Sequence, residues 1–302
     1  MSVIKWNGQK ISKPGIYEGV PIDAYHGDLC IGPSISSSGL RTIEAKTPLH
    51  YFAGSYLNPD REPEEQKDHF SFGKAAHTLL LGEQGFRDQF VVRPAEYKNW
   101  LTKASKEWRD AQVAAGKTVL LPQHITAIQG IARRLEAHPL VRQGILHGLV
   151  EHTIVCKDAA TGVWLKIRPD VVPQADGVLV DLKTTNDASP HAIQRTILNY
   201  GYPMQGGLGT IVMKEALGIT ITDFVLAFIE KEEPHAVAIT AIDNEWIYWS
   251  RRQVRRAIDT FARCVESGEW PGYDVEATTS MPTWLRARFE DEDKHGQIPE
   301  AA

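Results

Sequence analysis

Ile167-Arg168-Pro169-Asp170-Val171-Val172-Pro173 is followed by a polar turn, Gln174-Ala175-Asp176-Gly177, and then by Val178-Leu179-Val180-Asp181-Leu182-Lys183-Thr184-Thr185. Two apolar runs around a Gly-bearing turn read as the strands of a hairpin, with Asp170 at the end of the first. Side chains alternate faces along a strand, so Asp181 and Lys183 point the same way. Two charges on one side of an apolar strand are costly to bury without compensation. Asp170 and Asp181 could hold a hard divalent cation through oxygen, and Lys183 could position a water beside it. That combination suits metal-dependent hydrolysis of a phosphodiester. On these residues alone, a hairpin with an exposed Asp181–Lys183 ion pair is the competing reading.

The bulk properties narrow the choice. The chain has 302 residues, 42% hydrophobic and 24% charged, a globular composition. A formal net charge of −5 does not advertise a nucleic-acid binder, although a basic groove can sit on a mildly acidic protein. Cys30, Cys156 and Cys264 are too far apart for a clustered cysteine metal site and odd in number, against a disulfide framework. The polar N-terminus carries no apolar leader segment, and no run approaches a membrane span. The expectation is a soluble cytoplasmic protein without membrane contact.

Outward from the hairpin, the patterning predicts a mixed α/β (α+β) domain. Its central mixed sheet is flanked by helices, with helical elaborations at both ends. A serine-capped helix opens near Ser36–Leu40 and breaks at Thr47-Pro48. Phe70–Gly82 reads as a helix carrying His77 among apolar neighbours, Phe86–Val92 as a strand, and Glu96–Ala115 and Gln123–Ala137 as helices. Leu149–Lys157, Val163–Pro169 and Val178–Lys183 then read as three successive strands joined by tight turns, with Glu151 near the start of the first. Ser189-Pro190 caps a helix reaching Tyr200, and Tyr202-Pro203 starts another that ends at Gly218. Strands follow at Ile221–Ile229 and Ala236–Ile242. A long helix capped by Asp243 runs to Glu266 and groups Arg252, Arg255, Arg256 and Arg263 on one face, either solvated or facing DNA. Residues 1–289 read as one domain with a core at about 70–266, and 290–302 as an unfolded acidic tail.

Pro169-Asp170 followed by Asp181-x-Lys183 resembles the signature of PD-(D/E)xK nucleases, and the element order resembles their core. Gly73–His77 is similar to the histidine-bearing helix of the RecB-like branch, and Tyr202 with Gln205 to its Y-x-x-Q element. More narrowly, the chain resembles the nuclease domain of the RecE (exonuclease VIII) family. Pro14-Gly15-Ile16-Tyr17 with Tyr25-His26, Gly116-Lys117-Thr118-Val119, Arg168-Pro169-Asp170, Asp181–Thr185, Glu269-Trp270-Pro271 and Pro282-Thr283-Trp284 occur in that family's order.

The resemblance implies an exonuclease that degrades linear double-stranded DNA 5′→3′ to leave 3′ tails. It would use Mg2+, with Mn2+ as a substitute. It implies a toroidal homotetramer acting on DNA ends with a single-strand annealing protein, in a bacterial or phage-infected cell. Asp170 and Asp181 would then bind metal, with Glu151, the Leu182 carbonyl and His77 as further candidates. Lys183 would steady the water. Tyr202, Gln205, Thr184 and Thr185 would orient substrate. A structure- or site-specific endonuclease of the same fold and a non-catalytic DNA-binding module are the alternatives. One departure is Lys74-Ala75-Ala76, where the wider branch shows a threonine soon after the glycine.

Overall fold

The computed structural model describes residues 2–62, 68–81, 86–173, 177–273 and 279–297. From the N-terminus the elements are β1 (Val3–Lys5), β2 (Gly15–Glu18), α1 (Ile22–His26), β3 (Ser34–Ser36), α2 (Ser37–Ala45), α3 (Pro48–Gly54), α4 (Asp68–Leu80), α5 (Phe86–Gln89), β4 (Phe90–Val92), α6 (Lys103–Ala114), β5 (Thr118–Leu120), α7 (Pro122–Ala137) and α8 (Pro139–Arg142). They continue with β6 (Gly148–Val150), β7 (Thr153–Lys157), β8 (Trp164–Ile167), β9 (Val171–Pro173), β10 (Val178–Thr185), α9 (Pro190–Tyr200), α10 (Tyr202–Leu217), β11 (Asp223–Glu230), β12 (Val237–Ile242), α11 (Asn244–Ser267) and α12 (Thr283–Lys294). Residues 1–271 form one compact unit and 272–302 a second.

Two mixed five-stranded sheets organise the first unit, in the orders β1-β2-β7-β8-β3 and β12-β11-β10-β9-β6. In the second sheet β10 runs parallel to β11, from Val178 opposite Asp223 to Thr185 opposite Glu230. That pairing requires a crossover, which α9 and α10 supply. The buried centre of β11, Phe224-Val225-Leu226-Ala227-Phe228-Ile229, is the continuous apolar run expected of a strand covered on both faces.

Helix α10 is apolar nearly all round, as a helix buried on every side must be. Its Met204, Leu208 and Val212 pack with Ile16, Ile154, Leu165 and Ile167 of the first sheet. Its other side meets the second sheet through glycines. A Cβ on Gly206 would lie 2.5 Å from the Phe224 ring, and one on Gly209 2.6 Å from Leu179. The glycines therefore let the helix backbone lie almost on the strands.

Several expectations need correction. Leu149–Lys157 is not one strand but two, β6 and β7, in different sheets. The three expected successive strands are likewise divided: β7 and β8 pair in the first sheet, β9 and β10 in the second. Asp170 does not end a strand; it lies in the link from β8 to β9. Residues 86–92 begin with the short helix α5, leaving only Phe90–Val92 as strand. The helix expected from Glu96 starts at Lys103, because the Thr102 hydroxyl caps it by accepting from the Ser105 N–H at 3.2 Å. In the second unit α12 runs to Lys294, so residues 290–294 of the expected acidic tail are helical, while 298–302 lie outside the described residues.

Lys166 is a test of burial energetics. It lies on β8, only 3% exposed, with Nζ 5.5 Å from the Tyr25 ring centroid and 5.3 Å from that of Tyr56. Its Nζ donates to the Gly27 carbonyl at 3.3 Å. Burial pushes its pKa down to about 8. The unfolded chain therefore binds more protons between about pH 8 and the ordinary lysine value, and stability rises with pH across that window. Lys166→Met removes this rise and stabilises the protein at pH 7 by about 1–2 kcal/mol, less than the full shift implies because the two rings solvate the cation. Denaturant melts of both proteins at pH 7 and pH 10 check this; equal slopes with pH would contradict it.

Candidate active site

The chain passes between the two sheets at two neighbouring points, 150–153 and 167–171. The first link carries Glu151 and the second Asp170, and the Glu151 N–H donates to the Asp170 carbonyl at 3.2 Å. Glu151 adopts φ +54°, a left-handed conformation uncommon for a residue with a side chain. This turn sends β6 and β7 into separate sheets and leaves the Glu151 carboxylate beside that of Asp170.

His77 arrives from α4. Gly73 lies near the end of β10, where an added Cβ would make an ordinary contact 3.5 Å from Thr184 Oγ1. Ala75 and Ala76, fully buried, pack in the same cluster as Leu182. This packing of the helix delivers the histidine beside Asp170. His77 Nδ1 lies 3.4 Å from Asp170 Oδ1. His77, Glu151 and Asp170 offer ligand atoms that all lie within 4.8 Å of one another. One imidazole and two carboxylates form a donor set that fits a divalent cation.

Asp181 and Lys183 share a face of β10, as their spacing predicts, and form an ion pair through Asp181 Oδ2. Asp181 Oδ1 accepts from Gln205 Nε2 at 2.6 Å. The Leu182 N–H between them donates to Asp170 Oδ2 at 2.5 Å, joining the two halves of the site. Tyr202 covers the lysine, its ring centroid 4.7 Å from Nζ. Of the two threonines, Thr184 lies near Gly73 of the histidine helix, whereas the Thr185 hydroxyl donates to the Asp187 carbonyl at 3.0 Å in the following turn.

The electrostatics follow from this crowding. Burial alone would lower the His77 pKa, but the charge and hydrogen bond of Asp170 outweigh it and raise the value. Burial alone would raise Asp170, but His77 and Lys183 hold it below the usual carboxylate range. Asp181 is raised, first by burial and then by the Asp170 charge, which Lys183 only partly offsets. Lys183 is raised because the two carboxylates outweigh its own burial. The raised values favour a proton on His77 and on Asp181 in the metal-free centre, and a cation bound there would compete with it.

Two features are not legible from residue spacing. Arg41 of α2 lies with its guanidinium carbon 5.8 Å from the Tyr202 ring centroid and donates from Nη1 to the Tyr200 carbonyl at 2.6 Å. A cavity of about 150 Å3 opens beside Asp181 and Gln205, lined also by Ser36, Ser37, Ser38 and Arg41. Ser37 Oγ and Gln205 Oε1, both buried, have no hydrogen-bond partner among the described residues. On α11, Arg255 pairs with Asp158 and Asp259, and Arg256 with Glu44, so half of the four-arginine face is held within the protein.

The link carrying Asp170, the strand carrying Asp181 and Lys183, and the histidine helix all lie within the stretch that a known family matches. The PDDEXK-like domain of unknown function (DUF3799) matches residues 36–280. The chain belongs to this PDDEXK-like family. Among solved structures, the DUF3799 chain is similar to a candidate exonuclease from Eubacterium rectale, with a TM-score of 0.54 and 13% identity over 84% of this chain and 92% of that one. It also matches a phage-related exonuclease from Haemophilus somnus 129PT, with a TM-score of 0.34 and 11% identity over 78% of this chain and 96% of that one. A search of curated proteins gives no match. At such identities the first likeness establishes a shared PDDEXK-like fold, which agrees with the mixed sheets flanked by helices. Among the described residues no helix is long and apolar enough to cross a membrane.

Proposed function

We propose that this DUF3799 protein is a metal-dependent exodeoxyribonuclease of the RecE kind. It would degrade linear double-stranded DNA 5′→3′ with Mg2+ and leave 3′ tails for a single-strand annealing protein, as a ring-shaped homotetramer in the bacterial cytoplasm. The observation that carries the reading is the convergence of His77, Glu151 and Asp170 within 4.8 Å, joined through the Leu182 N–H to the Asp181–Lys183 pair.

Asp170, Glu151 and His77 would hold the cation, with Asp181 and the Leu182 carbonyl completing its surroundings. The cation supplies Lewis-acid stabilisation of the phosphate and acidifies water. Lys183, kept protonated by two carboxylates, holds its ammonium where it can orient the attacking water and balance charge developing on phosphate oxygens. Gln205 fixes the rotamer of Asp181, and the Tyr202 ring covers one side of Lys183 Nζ. None of these groups reads a base edge, which suits an enzyme that must accept every sequence.

The test is a duplex labelled separately at its 5′ and 3′ ends, incubated with Mg2+ alongside relaxed closed-circular DNA. The proposal expects early release of the 5′ label as mononucleotides and an intact circle. Cutting of the circle would favour the endonuclease reading, and initial loss of the 3′ label would reverse the polarity.

A further inference from the structure

Helices α9 and α10 meet at a single residue, Gly201, which ends one and begins the other at φ 61° and ψ 36°. The turn holds the flanking tyrosines face to face. The Tyr200 and Tyr202 ring centroids are 5.6 Å apart with planes 13° from parallel. Arg41 fixes the corner through the Tyr200 carbonyl. A Cβ on Gly201 would combine a left-handed conformation with a 3.4 Å approach to the Arg41 side chain, so glycine suits both demands.

The stack has a direction. Its inner ring, Tyr202, lies 4.7 Å from Lys183 Nζ, and Lys183 pairs with Asp181. Its outer ring, Tyr200, is 62% exposed. Here one face is covered by the partner ring and much of the side chain is left to solvent, two short steps from the catalytic lysine. A flat π surface of this kind accepts any nucleobase, since all four present a π face, and it needs no hydrogen bond to do so.

We infer that Tyr200 is a stacking platform for an unpaired nucleobase of the DNA strand being cut. This rests on the nuclease reading above and adds a positioning residue to it. With the base held on Tyr200, the adjoining phosphate is steered toward Lys183. The contribution is to holding the strand, so it belongs in KM and spares the chemical step.

Wild type, Tyr200→Leu and Tyr200→Phe are compared on linear duplexes with Mg2+, each duplex carrying one abasic residue at one of the first three positions from either end. Tyr200→Leu is expected to raise KM about 10-fold, within the range of one base–aromatic stack, with kcat within about twofold. Tyr200→Phe keeps the ring and restores wild-type KM. At one abasic position wild type falls to the level of the leucine variant, which is itself indifferent to that lesion; this non-additivity assigns the effect to base and ring together. The abasic substrates with wild type stand even if a variant folds poorly. Uniform KM across the variants and lesions, or a Phe variant as weak as the Leu variant, overturns the platform while leaving the nuclease intact. Wild type inert on every duplex overturns both.

Discussion

Asp181→Asn is expected to lower metal-dependent hydrolysis of linear DNA by about 100- to 1000-fold, the scale on which a single group stabilising transition-state charge acts. It should do so without weakening the fold. Asparagine matches aspartate in shape; with its Oδ1 facing the Lys183 ammonium, its Nδ2 can donate to Gln205 Oε1 once that amide flips. What it lacks is the charge. In the metal-free protein that charge is unwelcome, since burial and the neighbouring Asp170 raise the Asp181 pKa above its ordinary value. The folded state therefore binds more protons than the unfolded chain between pH about 4 and the raised value, and wild-type stability falls as pH rises through that window. The variant escapes this fall. Its thermal transition in EDTA should match or exceed that of wild type at neutral pH. A lost activity with a raised or equal Tm is the pattern of a site kept at a cost in stability. Wild-type turnover by the variant, or a transition several degrees lower, would contradict this account.

Lys183→Met should cost about 100- to 10000-fold in kcat, the range for a positioned group acting on the reacting water or leaving group. Here the fold suffers as well. The methionine leaves the Asp181 carboxylate, with a side chain only 5% exposed, without its ion-pair partner and the Tyr202 ring without its cation. Unpairing a buried charge destabilises strongly when the remaining charge cannot neutralise; Asp181 can take up a proton, so the loss is about 1–3 kcal/mol. That proton must then leave before a cation binds. Calorimetric titration with Mn2+ should show affinity weaker than wild type, with the gap narrowing as pH rises. Lys183→Arg should not rescue activity, because a planar guanidinium cannot reproduce a compact ammonium between Asp181 and the Tyr202 ring. A methionine variant within tenfold of wild-type kcat would remove Lys183 from the chemistry.

What could be read from residues alone depended on how local the physical cause was. Strand β10 was legible because alternation places Asp181 and Lys183 on one face whatever surrounds them. The caps at Ser189 and Asp243 were legible because each hydroxyl or carboxylate accepts from a backbone N–H three residues on. The division of Leu149–Lys157 between two sheets was not, because the residue that turns the chain is Glu151, in a conformation that usually announces itself with glycine. His77 and Asp170 are 93 positions apart in sequence, and only the resemblance suggested a shared site. Arg41 and Tyr200 were missed, as an arginine within a helix and an aromatic at a helix end ordinarily read as surface. The one local hint was Tyr200-Gly201-Tyr202, two rings across a residue able to turn sharply.

The central claim is that the Asp170–Asp181–Lys183 centre hydrolyses DNA with a divalent cation, and release of acid-soluble nucleotides from a linear duplex measures it most directly. Wild type should release nucleotides with Mg2+, stop on addition of EDTA, and resume when Mg2+ is restored, while Asp170→Asn stays at background under all three conditions. Release that persists in EDTA, or that survives in Asp170→Asn at the wild-type rate, would contradict it.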